Sequence, residues 1–82
     1  MKMVRSYLRV LLAEKEVREK RSISLRRVAR ETEVSISTIM GLANNTLREV
    51  PLGALAVLCD YLHCRVGDLL RLEDAQEDGS ET

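Results

Sequence analysis

Three groups of side chains in this sequence have types and spacings that carry chemistry. Cys59, His63 and Cys64 bring two thiols and the chain's one imidazole into a short span. Ser35, Ile36, Ser37, Met40 and Gly41 put short hydroxyls beside apolar side chains at successive helical positions. Lys20, Arg21, Arg26, Arg27, Arg30 and Arg48 bracket that stretch with cations. The first group has the residue types of a metal site, with Cys59 and His63 at i, i+4 on one helical face. A structural zinc takes four ligands, and only distant Asp68 is left to complete the set. The thiols therefore read as core-lining groups and His63 as a helix-ending residue. On one continuous helix the two cysteines would lie about 7.5 Å apart along the axis, too far for a disulfide. No Ser–His–Asp or paired-carboxylate arrangement is present to support catalysis. The expectation is no enzyme, no cofactor and no metal.

The other two groups suit a polynucleotide. Serine hydroxyls bond base edges and an isoleucine methyl can cover a thymine methyl, so Ser35, Ile36 and Ser37, with Met40 and Gly41 expected on the same outer face, have chemistry compatible with base contact. Guanidinium and ammonium groups neutralise phosphates, which makes Lys20, Arg21, Arg26, Arg27, Arg30 and Arg48 candidates for backbone contact. None of the base-contact set is Arg, Asn or Gln, so each contact discriminates weakly. Gly41 is expected on the outer side, where a missing side chain permits close approach. The formal net charge is zero, which by itself argues against such a partner. The distribution reverses that argument. Residues 1–30 hold ten Lys/Arg and three Glu, a net of +7, whereas residues 49–82 hold two Arg and eight acids, a net of −6.

These groups need elements to position them. With 45% hydrophobic residues but only 2% aromatic, the core must be aliphatic. Val4, Leu8, Leu11 and Leu12 recur at helical spacing and predict a first helix reaching about Lys15–Val17. The charged run 14–21 beyond is either a solvated extension or a loop. Ser24 is an N-cap for a second helix with Leu25, Val28, Ala29 and Thr32 inward. Ser35 caps a third, with Ile39 and Leu42 inward. Asn44, Asn45 and Thr46 are turn residues, and Leu47–Val50 should be extended ahead of Pro51. Pro51 suits the first turn of a fourth helix with Leu52, Leu55, Cys59 and Leu62 inward and Ala56 and Leu58 widening the stripe. His63 ends it, and histidine is among the residues enriched at positive φ. Val66 to about Leu72 forms a fifth. The predicted fold class is all-α: a compact five-helix domain over residues 1–72, followed by an acidic tail, 73–82, expected to be disordered. No apolar run approaches a membrane span, and Met1–Leu12 is too charged for a signal-peptide core. The expected location is cytoplasmic, associated with the nucleoid.

Two short capped helices separated by Glu33-Val34, with small Ala29 at the crossing and Ile39 and Leu42 as anchors, follow the helix-turn-helix plan. The stretch SLRRVARETEVSISTIMGLANN resembles the helix-turn-helix of the lambda-repressor/Cro-like (XRE-type) regulators. The likeness continues through VPLGALAVLCDYLHCRVGDLL, and with the Val4–Leu12 helix it covers most of residues 4–72. The resemblance implies a sequence-specific regulator of transcription, acting as a repressor, with residues 35–44 in the major groove of double-stranded DNA. It implies that Ser35, Ile36, Ser37, Met40 and Gly41 stand at the base-reading positions, and it implies backbone contacts from the loop Asn44, Asn45 and Thr46, to which Thr38 is added. Three departures stand out: Glu33 where the family usually has Gly, Leu25 where many members have Gln, and a longer Glu14–Ser22 stretch. Weak individual contacts call for a homodimer on two inverted half-sites about 10–10.5 base pairs apart, with Val66, Leu69 and Leu70 as its expected surface. Two other readings fit the same residues. One is the antitoxin of a toxin–antitoxin pair, binding operator and toxin. The other is a helix-turn-helix used only for protein contact.

Overall fold

Short helices of aliphatic residues cannot bury their apolar stripes alone, so the five of them close around one another. A computed structural model describes residues 1–74. The order is β1 (Lys2–Ser6), α1 (Leu8–Glu19), α2 (Leu25–Thr32), α3 (Ile36–Asn44), α4 (Leu52–Leu62), α5 (Val66–Leu69) and β2 (Leu70–Asp74). Leu8, Val28, Ile39, Leu58, Leu62 and Leu69, drawn from all five helices, are almost completely buried. The expected N-caps are in place: Ser24 Oγ accepts from the Arg27 amide and Ser35 Oγ from the Thr38 amide, at 3.1 and 3.2 Å. Each bond satisfies a donor that the first helical turn leaves free.

The fold is not strictly all-α. β1 and β2 form an antiparallel two-stranded sheet that joins the two ends of the described chain, with Val4 opposite Leu72. Val4 therefore does not begin the first helix, and α5 stops at Leu69 rather than continuing to Leu72. In both segments an apolar residue that suits a helical stripe equally suits the alternation of a strand, and the pairing that decides between them spans almost the whole chain. At the junction, Ser6 Oγ accepts from the Leu8 amide at 3.2 Å, and the Tyr7 amide donates to the Leu69 carbonyl at 2.8 Å. The Tyr7 hydroxyl donates to Glu73, and the Arg71 guanidinium lies over the Tyr7 ring at 4.3 Å. Glu73 and Asp74, expected in a disordered tail, thus belong to β2; residues 75–82 of that tail lie outside the described residues. On α4 the buried residues are Leu55, Leu58 and Leu62, while Leu52 is 81% exposed. Leu55, Leu58 and Leu62 of the expected stripe are inward with Cys59 half-buried, Leu52 and Ala56 are not, and Pro51 is the N-cap rather than the first helical residue.

The charged run after Lys15 is helical through Glu19, because Lys15 turns inward. It is only 5% exposed, and its ammonium donates to Glu19 at 2.6 Å and to the Tyr61 carbonyl at 3.0 Å, 4.3 Å from the Tyr61 ring centre. Glu19 also accepts from Arg21 at 2.7 Å. Hydrogen bonds from Lys15 and then Arg21 hold its carboxyl down to about 2. Arg21 reaches Glu31 at 3.4 Å, and the Tyr61 hydroxyl donates to Glu31 at 2.6 Å. Burial and that bond to Glu31 push the Tyr61 hydroxyl up to about 12. A buried ammonium is tolerated only with such partners, and the network ties the end of α1 to α2 and α4.

α1, α2, α3 and α4 each end on a non-glycine residue in the left-handed region: Lys20, Glu33, Asn45 and His63. Glu33, at φ 63° and ψ 18°, makes the turn between α2 and α3 with an exposed side chain. Left-handed backbone costs an L-residue roughly 1–2 kcal/mol, and glycine's greater freedom in the unfolded chain returns roughly 0.5–1 kcal/mol of that. Glu33→Gly is therefore expected to stabilise the domain by about 0.5–1 kcal/mol, read in thermal unfolding as a Tm increase of about 2–8 °C. A fall in Tm would show that the Glu33 side chain contributes more than its backbone costs.

Candidate nucleic-acid interface

The outer side of α3 follows from what its inner side buries. Ile39, Leu42 and Ala43 enter the core. That leaves Ile36, Ser37, Met40 and Asn44 on the opposite side, all exposed. Ile36 and Met40 are 40% and 42% exposed, which gives this helix an apolar outer stripe flanked by the Ser37 hydroxyl. Ser35 stands at the N-terminal tip, but its oxygen is occupied. Besides the cap to the Thr38 amide, it donates to Thr38 Oγ1 at 2.9 Å and lies 3.5 Å from the Ser37 hydroxyl. Ser35 and Thr38 thus act first on the helix start, while Ser37 is the hydroxyl that faces outward.

Gly41 is not on that face. It is buried, and a Cβ built on it would overlap the Leu47 side chain. The segment after α3 folds back over the helix there. The missing side chain lets the loop close rather than letting α3 approach a ligand.

The C-terminal end of α3 is held from the N-terminal part of the chain. Arg9 of α1 donates through Nε to the Ala43 carbonyl at 3.0 Å and through Nη2 to the Asn44 side chain at 2.9 Å. Asn45, left-handed at φ 57°, places its side-chain amide against β1: its Oδ1 accepts from the Ser6 amide at 2.6 Å and its Nδ2 donates to the Ser6 carbonyl at 3.3 Å. The Thr46 amide closes the helix by donating to the Gly41 carbonyl at 2.9 Å. Carbonyls that a helix end leaves unpaired are thereby satisfied, and a cation sits at the negative end of the helix dipole. Asn44 and Asn45, grouped by sequence with the phosphate contacts, thus have structural partners already. Arg9 and Ser6 were missed by sequence reasoning, since nothing local distinguishes Arg9 from the other cations of the first helix.

The basic candidates divide in two. Arg21 is paired with Glu19 and Glu31, and Arg27 lies 3.8 Å from Glu31. Hydrogen bonds from Tyr61 and then Arg21 lower the Glu31 carboxyl, so it stays ionised and holds both guanidinium groups. Lys20, Arg26, Arg30 and Arg48 are exposed, and among the described residues they have no ion-pair partner. Arg26 and Arg30, i and i+4 on α2, project from one side of the helix that precedes α3.

Two capped helices joined by a left-handed turn, the second with an exposed outer stripe, are matched over residues 8–75 by the family model of the Cro/C1-type HTH DNA-binding domain. The chain belongs to this family. The likeness to XRE-type regulators read from residues 24–45 and 50–70 therefore holds, and DNA is the partner of this Cro/C1-type domain. No curated protein and no solved structure matches the chain significantly. No helix among the described residues is long and apolar enough to cross a membrane.

Arg9→Ala leaves the Ala43 carbonyl and the Asn44 side chain without their cationic donor. The expected loss is about 1 kcal/mol, or about 4–8 °C in Tm, with amide-exchange protection at 43–46 reduced more than in α4. An unchanged Tm and exchange pattern would show that α3 is seated by its apolar side alone.

Proposed function

We propose that this Cro/C1-type domain is a sequence-specific transcriptional repressor that lays the outer stripe of α3 in the major groove. The supporting observation is the placement of Ile36, Ser37 and Met40 on the exposed side of a helix whose other side and both ends are fixed. Ser37 bonds a base edge, while Ile36 and Met40 make apolar contact with thymine methyls. Arg26 and Arg30, unpaired among the described residues, serve the flanking phosphates together with Lys20 and Arg48. Occupying an operator excludes polymerase, which is the simplest route from binding to repression.

Short readers give little discrimination per module, so the protein acts as a homodimer on two inverted half-sites. The surface expected for that contact is revised. Leu69 is fully buried and Leu70 half-buried, so of the α5 group only Val66 is exposed. Exposed apolar side chains instead gather at Val4, Leu52 and Leu72, beside a cavity of about 310 Å³ that Leu47, Val50 and Leu55 also line. This patch is the place for the second copy.

Binding should weaken steeply between about 50 and about 200 mM salt. Arg26→Ala and Arg30→Ala should each reduce the salt slope by about one while weakening all sequences alike. Arg27→Ala and Arg21→Ala should change the slope less, because Glu31 already neutralises those side chains. The check is a salt titration of binding to the chain's own upstream DNA, with circular dichroism to confirm folding. Affinity independent of salt, or a larger effect at Arg21 than at Arg26, would overturn the assignment.

A further inference from the structure

Cys59 and Cys64 are both free and both half-buried, and the fold joins them in a way that their spacing on a continuous helix conceals. α4 ends at His63 in the left-handed region, φ 55° and ψ 52°. The chain turns back there, so that the Cys64 amide donates to the Cys59 carbonyl at 3.0 Å while the His63 amide donates to the Asp60 carbonyl at 3.3 Å. This is the Schellman bonding pattern, whose outer two residues bring their side chains together. Cys64 is off the helix, and the axial separation of about 7.5 Å expected on one helix does not apply. Standard bond lengths put about 2.4 Å between Cα and its carbonyl oxygen and about 1.5 Å between N and Cα. With the 3.0 Å bond between them, the two Cα atoms can be no more than about 6.9 Å apart even if those links were collinear. The bends in the path bring them inside the disulfide limit of about 6.8 Å. The thiols also sense one another: burial, the neighbouring Cys59 thiol and its hydrogen bond push Cys64 up to about 11. A cleft of about 460 Å³, lined by Cys59, Asp60, His63, Cys64, Arg65 and Asp68, opens the pair to small molecules.

We propose that Cys59 and Cys64 form an oxidation site, a dithiol that closes to an intramolecular disulfide by exchange with a low-molecular-weight disulfide such as glutathione disulfide. One cysteine thiolate attacks the oxidant's S–S bond, forms a mixed disulfide and releases one small thiolate, which takes up a proton. The other cysteine thiolate attacks the protein sulfur of that mixed disulfide and expels the second small thiolate. Two protein thiols give up two electrons and two protons, and one small disulfide becomes two small thiols. Only thiolates attack. Asp60 and Asp68 disfavour them, whereas Arg65, and His63 when protonated, favour them from the same cleft. With Cys64 held protonated near neutrality, exchange is slow at about pH 7 and quickens toward about pH 9. Closure locks the left-handed end of α4 to the start of α5, the helix whose Leu69 carbonyl receives the Tyr7 amide.

The test equilibrates the full chain with mixtures of oxidised and reduced glutathione, traps free thiols with a maleimide and reads intact mass. The expected product is monomeric, lighter by about 2 Da and without free thiols. At a given glutathione ratio it should be favoured at least about tenfold more in the folded chain than in the same chain unfolded in urea, because the fold holds the thiols together. Cys59→Ser and Cys64→Ser should each stop at a single mixed disulfide. Accumulation of mixed disulfide or covalent dimer on the unaltered chain would overturn the proposal, as would equal closure in the folded and unfolded chains.

Discussion

The seating of α3 is the constraint on which the rest of the molecule depends. A helix of nine residues is too short to persist in water by its own hydrogen bonds. Its inner side is held by Ile39 and Leu42 in the core, its start by the Ser35 cap, and its end by Arg9, Asn45 and the loop that closes over Gly41. Because Asn45 reaches Ser6 of β1, the sheet that joins the two ends of the described chain also bears on α3. The outer stripe can be left to a ligand because everything else about this helix is fixed.

The electrostatics follow a similar division of labour. The basic first third of the sequence is not simply a cationic surface. Lys15 is buried and neutralised by Glu19, Arg21 and Arg27 are engaged by acids, and Arg9 is spent on a helix end. What stays exposed and without an ion-pair partner among the described residues is a smaller set, Arg26 and Arg30 with Lys20 and Arg48. The network around Glu31 and Tyr61 instead ties α2 to α4 and to the end of α1, while Arg26 and Arg30 share one side of α2 through their i, i+4 spacing.

Local chemistry was legible in the sequence and tertiary pairing was not. Ser24 and Ser35 announce helix starts because a hydroxyl that caps a first turn acts within three residues, and His63 was read as a stop at positive φ for a similarly local reason. The sheet was missed because Val4 and Leu72 find each other across nearly the whole chain, and their alternation is too short to outweigh a helical stripe. Lys15 reads from sequence only as part of a charged run, solvated helix or loop, because no local pattern shows that Tyr61 and Glu19 wait for its ammonium. Gly41 was assigned to the outer face because the return of Leu47 over the helix depends on the loop, not on α3. A continuous helix would hold Cys59 and Cys64 apart, whereas the left-handed turn at His63 folds the second thiol back onto the first.

The outer stripe of this Cro/C1-type helix-turn-helix has no Arg, Asn or Gln between Ile36 and Met40, so the proposed readout rests on shape, methyl contact and one or two hydroxyls. The central claim is that this stripe, and not another surface, meets the bases. The most direct measurement is selection from a random double-stranded pool with the unaltered chain and with Met40→Arg, since an arginine in the groove pairs bidentately with guanine. The account predicts that the variant stays folded and that its selected site gains a guanine at one position of each half-site, the other positions being unchanged. An identical selected sequence for both proteins would contradict it.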